Sequence, residues 1–133
     1  SGFKSSKIKR KNIIKIKNDK YETTNMLYSL FKAKKIFNGN NDLIISYGDI
    51  IYKSEILKKL INSSEEISTV IDTKWYSYWK LRMQNPLDDA ESLKLNKNNY
   101  ITDIGKKVKK LKDIQGQYIG LTKISKSISK NNF

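Results

Sequence analysis

The chain has 133 residues and 15.5 kDa, of which 38% are hydrophobic and 30% charged, enough for one domain with one core. It has no cysteine and no histidine, which excludes disulfides, thiolate and imidazole zinc sites and any Ser-His-Asp triad. The formal charge of +14 invites a nucleic-acid partner, yet all but two of the 27 basic residues (Arg10 and Arg82) are lysines, scattered among asparagines and isoleucines and read as solvated surface.

Any chemistry must therefore run on carboxylates, lysines, arginines, backbone groups or a hard metal ion. The clusters Lys7–Lys11 and Lys106–Lys110 are the candidate phosphate-attracting patches. The apolar runs, such as Leu43–Ile45, are far too short to span a membrane, and Ser1–Lys4 lacks the apolar stretch of a signal peptide. A soluble cytoplasmic protein with no specific nucleic-acid or membrane partner is the expectation.

In chain order, residues 4–10 suit a short helical turn, and Asn12–Ile16 has the β-branched alternation of a short strand. Asn18-Asp19-Lys20 is turn chemistry, and Thr23, Thr24 or Asn25 can cap a helix carrying Leu27, Leu30, Phe31, Ile36 and Phe37. Asn38-Gly39-Asn40-Asn41 stops it. Leu43–Tyr47 reads as a strand covered on both faces, broken by Gly48-Asp49. Ser54 is a candidate cap for a helix with Ile56, Leu57, Leu60 and Ile61 on its apolar face. Ile67–Ile71 is the next buried strand and ends at Asp72. Residues 75–82 are aromatic-rich with no clear conformation, and the stretch through Pro86 reads as a loop. Leu93 and Leu95 open a hairpin returning through Tyr100–Ile104, and Gln117–Ile124 is the last strand. Strands alternating with helices over short connections imply a parallel or mixed sheet with helices packed on it.

Three constellations carry candidate chemistry. Tyr47-Gly48-Asp49 places a carboxylate at the end of an apolar strand, where α/β proteins bind ligands; the glycine permits close approach and Asp49 offers a hard oxygen to magnesium. An ordinary strand-ending turn explains the same residues. The second is Asp72, Trp75, Tyr76, Tyr78, Trp79, Arg82, Asp88, Asp89 and Glu91. Aromatic faces and carboxylates suit an ammonium group, and Arg82 a phosphate or phosphonate, whereas core tryptophans and solvated acids are the structural alternative. The third is Gly105-Lys106, where a lysine just beyond a strand end would neutralise a phosphate.

Read in order, these segments resemble the nucleotidyltransferase superfamily of the sugar-phosphate and phosphocholine type. Asn18-x-x-Tyr21-x-x-Thr24-Asn25-x-x-x-Ser29-Leu30-x-x-Ala33 is similar to the entry into the family's second helix. Leu43–Ile50 resembles its strand with a Gly-Asp metal motif. Asp72, Trp75, Trp79, Arg82, Asp89 and Glu91 follow the order found in cytidylyltransferases acting on phosphocholine or 2-aminoethylphosphonate. Asp103–Lys106 and Gly116–Leu121 extend the likeness, which covers roughly residues 2–125. It implies a Rossmann-like three-layer fold with a mixed, mostly parallel sheet, present as one partial domain over residues 1–133. It also implies transfer of a nucleotidyl group from an NTP, with CTP the expected donor, to a small phosphate or phosphonate, with pyrophosphate released. Asp49 would bind Mg²⁺; Asn25, Tyr47 and Gly48 would lie near the nucleotide. Arg82 and Lys106 would face phosphates, and Asp72, Trp75, Trp79, Asp89 and Glu91 the acceptor. The family's opening Gly-rich triphosphate loop and its second, C-terminal aspartate have no counterpart here. The expectation is thus an incomplete catalytic domain, inactive by itself; the alternative is a non-catalytic basic module binding nucleic acid or anionic surfaces.

Overall fold

A computed structural model of the chain describes residues 1–37 and 39–128. The α-helices among them are α1 (Met26–Lys32), α2 (Ser54–Ile61) and α3 (Trp75–Trp79). The five strands are β1 (Leu43–Ser46), β2 (Ile67–Asp72), β3 (Glu91–Leu95), β4 (Ile101–Lys107) and β5 (Gln117–Ile124). The chain divides into two compact units, Ser1–Leu43 with the end of the chain from Ile124, and Ile44–Lys123.

The first unit is organised by polar groups. Asn18 is 1% exposed; its side-chain amide donates to Thr24 Oγ1 (3.0 Å) and Ser29 Oγ (2.9 Å), and its carbonyl accepts from the Lys20 amide (3.0 Å). Asn25 caps α1 by accepting from the Tyr28 amide at 3.1 Å. The helix is shorter than its apolar spacing suggests: a 3₁₀ turn over Lys34–Ile36 replaces its last turn. Gly39 follows with φ 69°, the left-handed conformation expected of a stop; Asn38, part of that signal, lies outside the described residues. The strand expected over Asn12–Ile16 does not form. Alternation favours a strand only where a neighbouring strand takes up its amides, and here Ile13 and Ile14 stay exposed.

The second unit holds the apolar core. Trp75, Ala90 and Ile114 form its buried cluster, with Trp79, Leu87 and Val108 packed against them; Leu60, Leu93 and Leu121 are also buried. In α2, Leu60 points inward and Ile61 stays half exposed. Ser54 is its first helical residue and not its cap, and the Lys53 side chain makes no capping hydrogen bond. At the other end, buried Lys123 donates to the carbonyls of Ile61 (2.9 Å) and Ser63 (2.6 Å), supplying partners where the helix leaves carbonyls unpaired.

The expected mixture of helices and strands is present, but the expected mostly parallel sheet is not. Three strands pair in the order β1-β5-β2, so the last strand in sequence is central, and its burial is nearly continuous. Thr69 Oγ1 meets Thr122 Oγ1 at 3.0 Å, while Ile71 and Asp72 lie beside Gly116, so β5 runs antiparallel to β2. The Tyr47 amide donates to the Gly120 carbonyl and the Lys126 amide to Asp42, so β5 also runs antiparallel to β1. Strands β1 and β2 therefore point the same way without touching, as a β1–α2–β2 crossover requires. Strand β1 is not covered on both faces: its burial alternates and Ile44 is partly exposed. Strands β3 and β4 form a separate antiparallel hairpin.

Candidate active site

Asp49 leaves β1 in the turn Gly48-Asp49, and both residues are exposed. Gly48 has no positive φ, and a Cβ added there would find open space, so neither backbone strain nor packing calls for glycine at this point. Next to it, Tyr47 is half-buried and stands edge-on to Tyr118, ring centroids 5.7 Å apart. Its ring lies over Gly120, which has φ 84° and whose missing side chain makes room for it. Burial raises the Tyr47 phenol above its usual pKa, and the neighbouring Tyr118 and the charges of Glu91 and Asp49 add to the effect. Glu91 opens β3 and is fixed at its backbone, its carbonyl accepting from Gln117 Nε2 at 2.8 Å.

Asp49 follows two residues after Tyr47, whose ring is edge-on to Tyr118, and a carboxylate near aromatic rings suits a hard cation or an ammonium group. Among the described residues no three carboxylates gather into a metal cage. Asp49 fits magnesium as a single anchoring ligand, since this ion keeps waters and takes substrate phosphate oxygens for most of its shell.

The aromatic segment is placed differently. Asp72, at the end of β2, accepts from the Lys74 amide at 2.7 Å and so shapes the turn into α3. Trp75 is 3% exposed and packed in the core, with Trp79 edge-on at 5.3 Å and half-buried. Of the two tryptophans, only Trp79 keeps a solvent-facing part. The Arg82 guanidinium stacks 4.5 Å above the Tyr78 ring, and both Arg82 and Asp89 are exposed.

Lys106 does not lie beyond a strand end; it sits within β4. Residues 91, 93 and 95 of β3 share one face and Ser92 and Lys94 the other, and Lys106 pairs with Asp103 on the Ser92 face. Glu91 and Lys106 thus occupy opposite faces of the hairpin. Asn25, at the cap of α1, belongs to the first unit, whereas the other candidate residues belong to the second. Asp103, Tyr118 and Gly120 lie in segments that carried the resemblance but were given no role of their own, and Ser92 was not singled out in the sequence. A glycine inside each of β4 and β5 was the available signal, because glycine within a strand marks a bulge or a close approach.

No family model matches the chain, and no solved structure matches it. Among curated proteins, the CTP:phosphoglutamine cytidylyltransferase of Campylobacter jejuni is 46% identical over 112 residues, covering 81% of this chain and 44% of that enzyme. The chain spans less than half the length of this relative. Identity at that level over most of the chain agrees with the motifs read from the sequence: over the matched stretch, this is a cytidylyltransferase-like nucleotidyltransferase sequence.

Proposed function

We propose that the chain forms part of an enzyme that transfers a cytidylyl group from CTP to a small phosphorus-bearing acceptor that also carries an ammonium group. The observation that carries this reading is the 46% identity to a CTP-using relative, whose own acceptor is named as phosphoglutamine. The Asp49 carboxylate, two residues past Tyr47 with its edge-on partner Tyr118, supports the ammonium part, since carboxylates and aromatic faces attract such a group. The parallel disposition of β1 and β2, with Asp49 leaving β1, supports a Rossmann-like nucleotidyltransferase sheet.

An oxygen of the acceptor phosphate, phosphonate or phosphoramidate attacks the α-phosphorus of CTP; the bond from that phosphorus to the bridging oxygen breaks and pyrophosphate leaves. The attacking oxygen is already anionic near neutral pH, so no strong general base is needed, in keeping with a chain that lacks histidine. Asp49 would hold Mg²⁺, which supplies charge neutralisation at the triphosphate. Gly48 leaves room for a ligand at the strand end, and Tyr47 contributes to the nucleotide side. Arg82 and Lys106 offset phosphate charge, while Asp72, Trp79, Asp89 and Glu91 face the acceptor. Trp75, buried as it is, supports Trp79 from below.

The test is pyrophosphate release from CTP and Mg²⁺ with phosphocholine, 2-aminoethylphosphonate or phosphorylated glutamine, using the enzyme that carries this sequence. Turnover is expected with CTP and an ammonium-bearing acceptor, and Asp49→Ala should abolish it while leaving the melting temperature nearly unchanged. Near-normal rates in Asp49→Ala would remove the metal assignment, and absence of turnover with CTP and every such acceptor would overturn the reading. The 133-residue chain alone is expected to be inactive, because no Gly-rich triphosphate loop occurs in it; turnover by this chain would refute that part.

A further inference from the structure

The β3–β4 hairpin is irregular where Lys106 lies. Leu93 pairs with Ile104 and Glu91 with Lys107, so the single residue Ser92 stands opposite two, Gly105 and Lys106. This is a β-bulge, and Gly105 takes its left-handed position with φ 83°. In a regular strand, residues 103 and 106 would point to opposite faces. The extra residue reverses that, and the Lys106 ammonium makes an ion pair with the Asp103 carboxylate on one face.

The partners of that face are fixed in turn. Ser92 is 3% exposed, and its hydroxyl accepts from the Lys106 amide at 3.2 Å, which locks the bulge. Asp103 is mostly covered, whereas the Lys106 side chain is 75% exposed. Lys94, cross-strand from Asp103, is engaged with Asp113 at 2.9 Å, so the two lysines have separate carboxylates. Together these groups line a concavity of about 470 Å³. An ammonium has three donors; one spent on Asp103 leaves two for phosphate oxygens.

We propose that Asp103, acting with the Gly105 bulge and Ser92, is a positioning residue that holds the Lys106 ammonium over this concavity to receive the phosphate oxygens of the nucleotide or the acceptor. The proposal rests on the reading above that Lys106 faces phosphate. Without Asp103 a lysine this exposed samples many rotamers, and binding must immobilise it. The Asp103 carboxyl is held below its ordinary pKa, first by the hydrogen bond from Lys106 and then by that from Ser92, which agrees with a formed pair.

The test has a kinetic and a spectroscopic arm. In the enzyme carrying this sequence, Asp103→Asn and Gly105→Ala should each raise KM for one phosphate substrate about tenfold while kcat stays within about twofold, and Asp103→Glu should recover most of the loss. The substrate whose KM moves, CTP or the acceptor, tells which phosphate Lys106 meets. In the same enzyme, the ¹³Cγ titration of Asp103 should fall below the ordinary carboxylate range and move up in Lys106→Met. Unchanged KM values in Asp103→Asn, with Lys106→Met impaired, would overturn positioning while sparing the role of Lys106. Unchanged kinetics in Lys106→Met would overturn that role and the proposal with it. An Asp103 titration insensitive to Lys106→Met would show that the pair does not form, and the proposal would fail on that ground.

Discussion

Replacing Trp75 by alanine separates a core tryptophan from a substrate-binding one. Trp75 is 3% exposed and lies against Ala90 and Ile114, with Trp79 and Tyr76 edge-on at 5.3 and 5.5 Å. A buried aromatic of this size removes about 150–250 Å² from water, which at about 25 cal/mol per Å² gives an upper value of about 4–6 kcal/mol. Measured large-to-small core replacements cost about 3–5 kcal/mol once the residual cavity is included. Against a total stability of about 5–15 kcal/mol, a loss near 4 kcal/mol leaves the fold marginal. The urea midpoint should fall by about 2 M, taking a slope of about 2 kcal/mol/M, with a melting temperature lower by about 10 °C or more. Far- and near-ultraviolet circular dichroism would follow both. Trp79→Ala, at a half-buried site, should cost less, about 1–2 kcal/mol. A Trp75→Ala protein that melts within about 2 °C of the parent yet loses turnover would refute the packing argument and return Trp75 to the substrate site.

Three further outcomes are expected. Gly120→Ala should destabilise by about 2 kcal/mol or more, because φ is 84° and the Tyr47 ring occupies the space, whereas Gly48→Ala should change stability by less than about 0.5 kcal/mol and impair only turnover. Chemical denaturation of both variants beside kinetics checks this, and a stability loss at Gly48 equal to that at Gly120 would contradict it. Asn18→Ala should cost about 2–3 kcal/mol by stranding the groups it now joins, and a loss below about 0.5 kcal/mol by thermal melting would show that water replaces them freely. The carboxyls of Asp103 and Asp113 are lowered chiefly by hydrogen bonds from Lys106 and Lys94. Depressed folded-state values add stability that is present above the ordinary carboxylate value of 3.8 and lost as pH falls through the folded values. The drop in melting temperature from about pH 6 to about pH 3 should therefore shrink in Asp113→Asn, and an undiminished drop would count against the Lys94–Asp113 pair.

Much of the local structure was legible from residue order. A helix cap among Thr23, Thr24 and Asn25, taken by Asn25, the strand ending at Asp72, the hairpin between Leu95 and Ile101 and the last strand from Gln117 follow from side chains acting on their own neighbourhood. The Asn18–Ala33 segment was recognised as a motif, and its hydrogen bonds show why those residue types are there: Asn18, Thr24 and Ser29 tie the turn to α1. Local patterns failed where a neighbour was required. Asn12–Ile16 has the alternation of a strand but, among the described residues, no strand beside it, and the aromatic run from Trp75 became a helix once Trp75 found a core to enter.

The sequence by itself determined what chemistry is available, since a chain without cysteine or histidine works through carboxylates and cations, and it placed Asp49 at a strand end. Only the tertiary structure decided which groups meet. Strand direction depends on pairing between distant segments, so nothing near β5 foretold that it would lie between β1 and β2 and run antiparallel to both. The same holds for the hairpin: one extra residue at Gly105 reversed the face of Lys106, joining it to Asp103 and setting it apart from Glu91. A side chain's face depends on register, and register is settled by the partner strand.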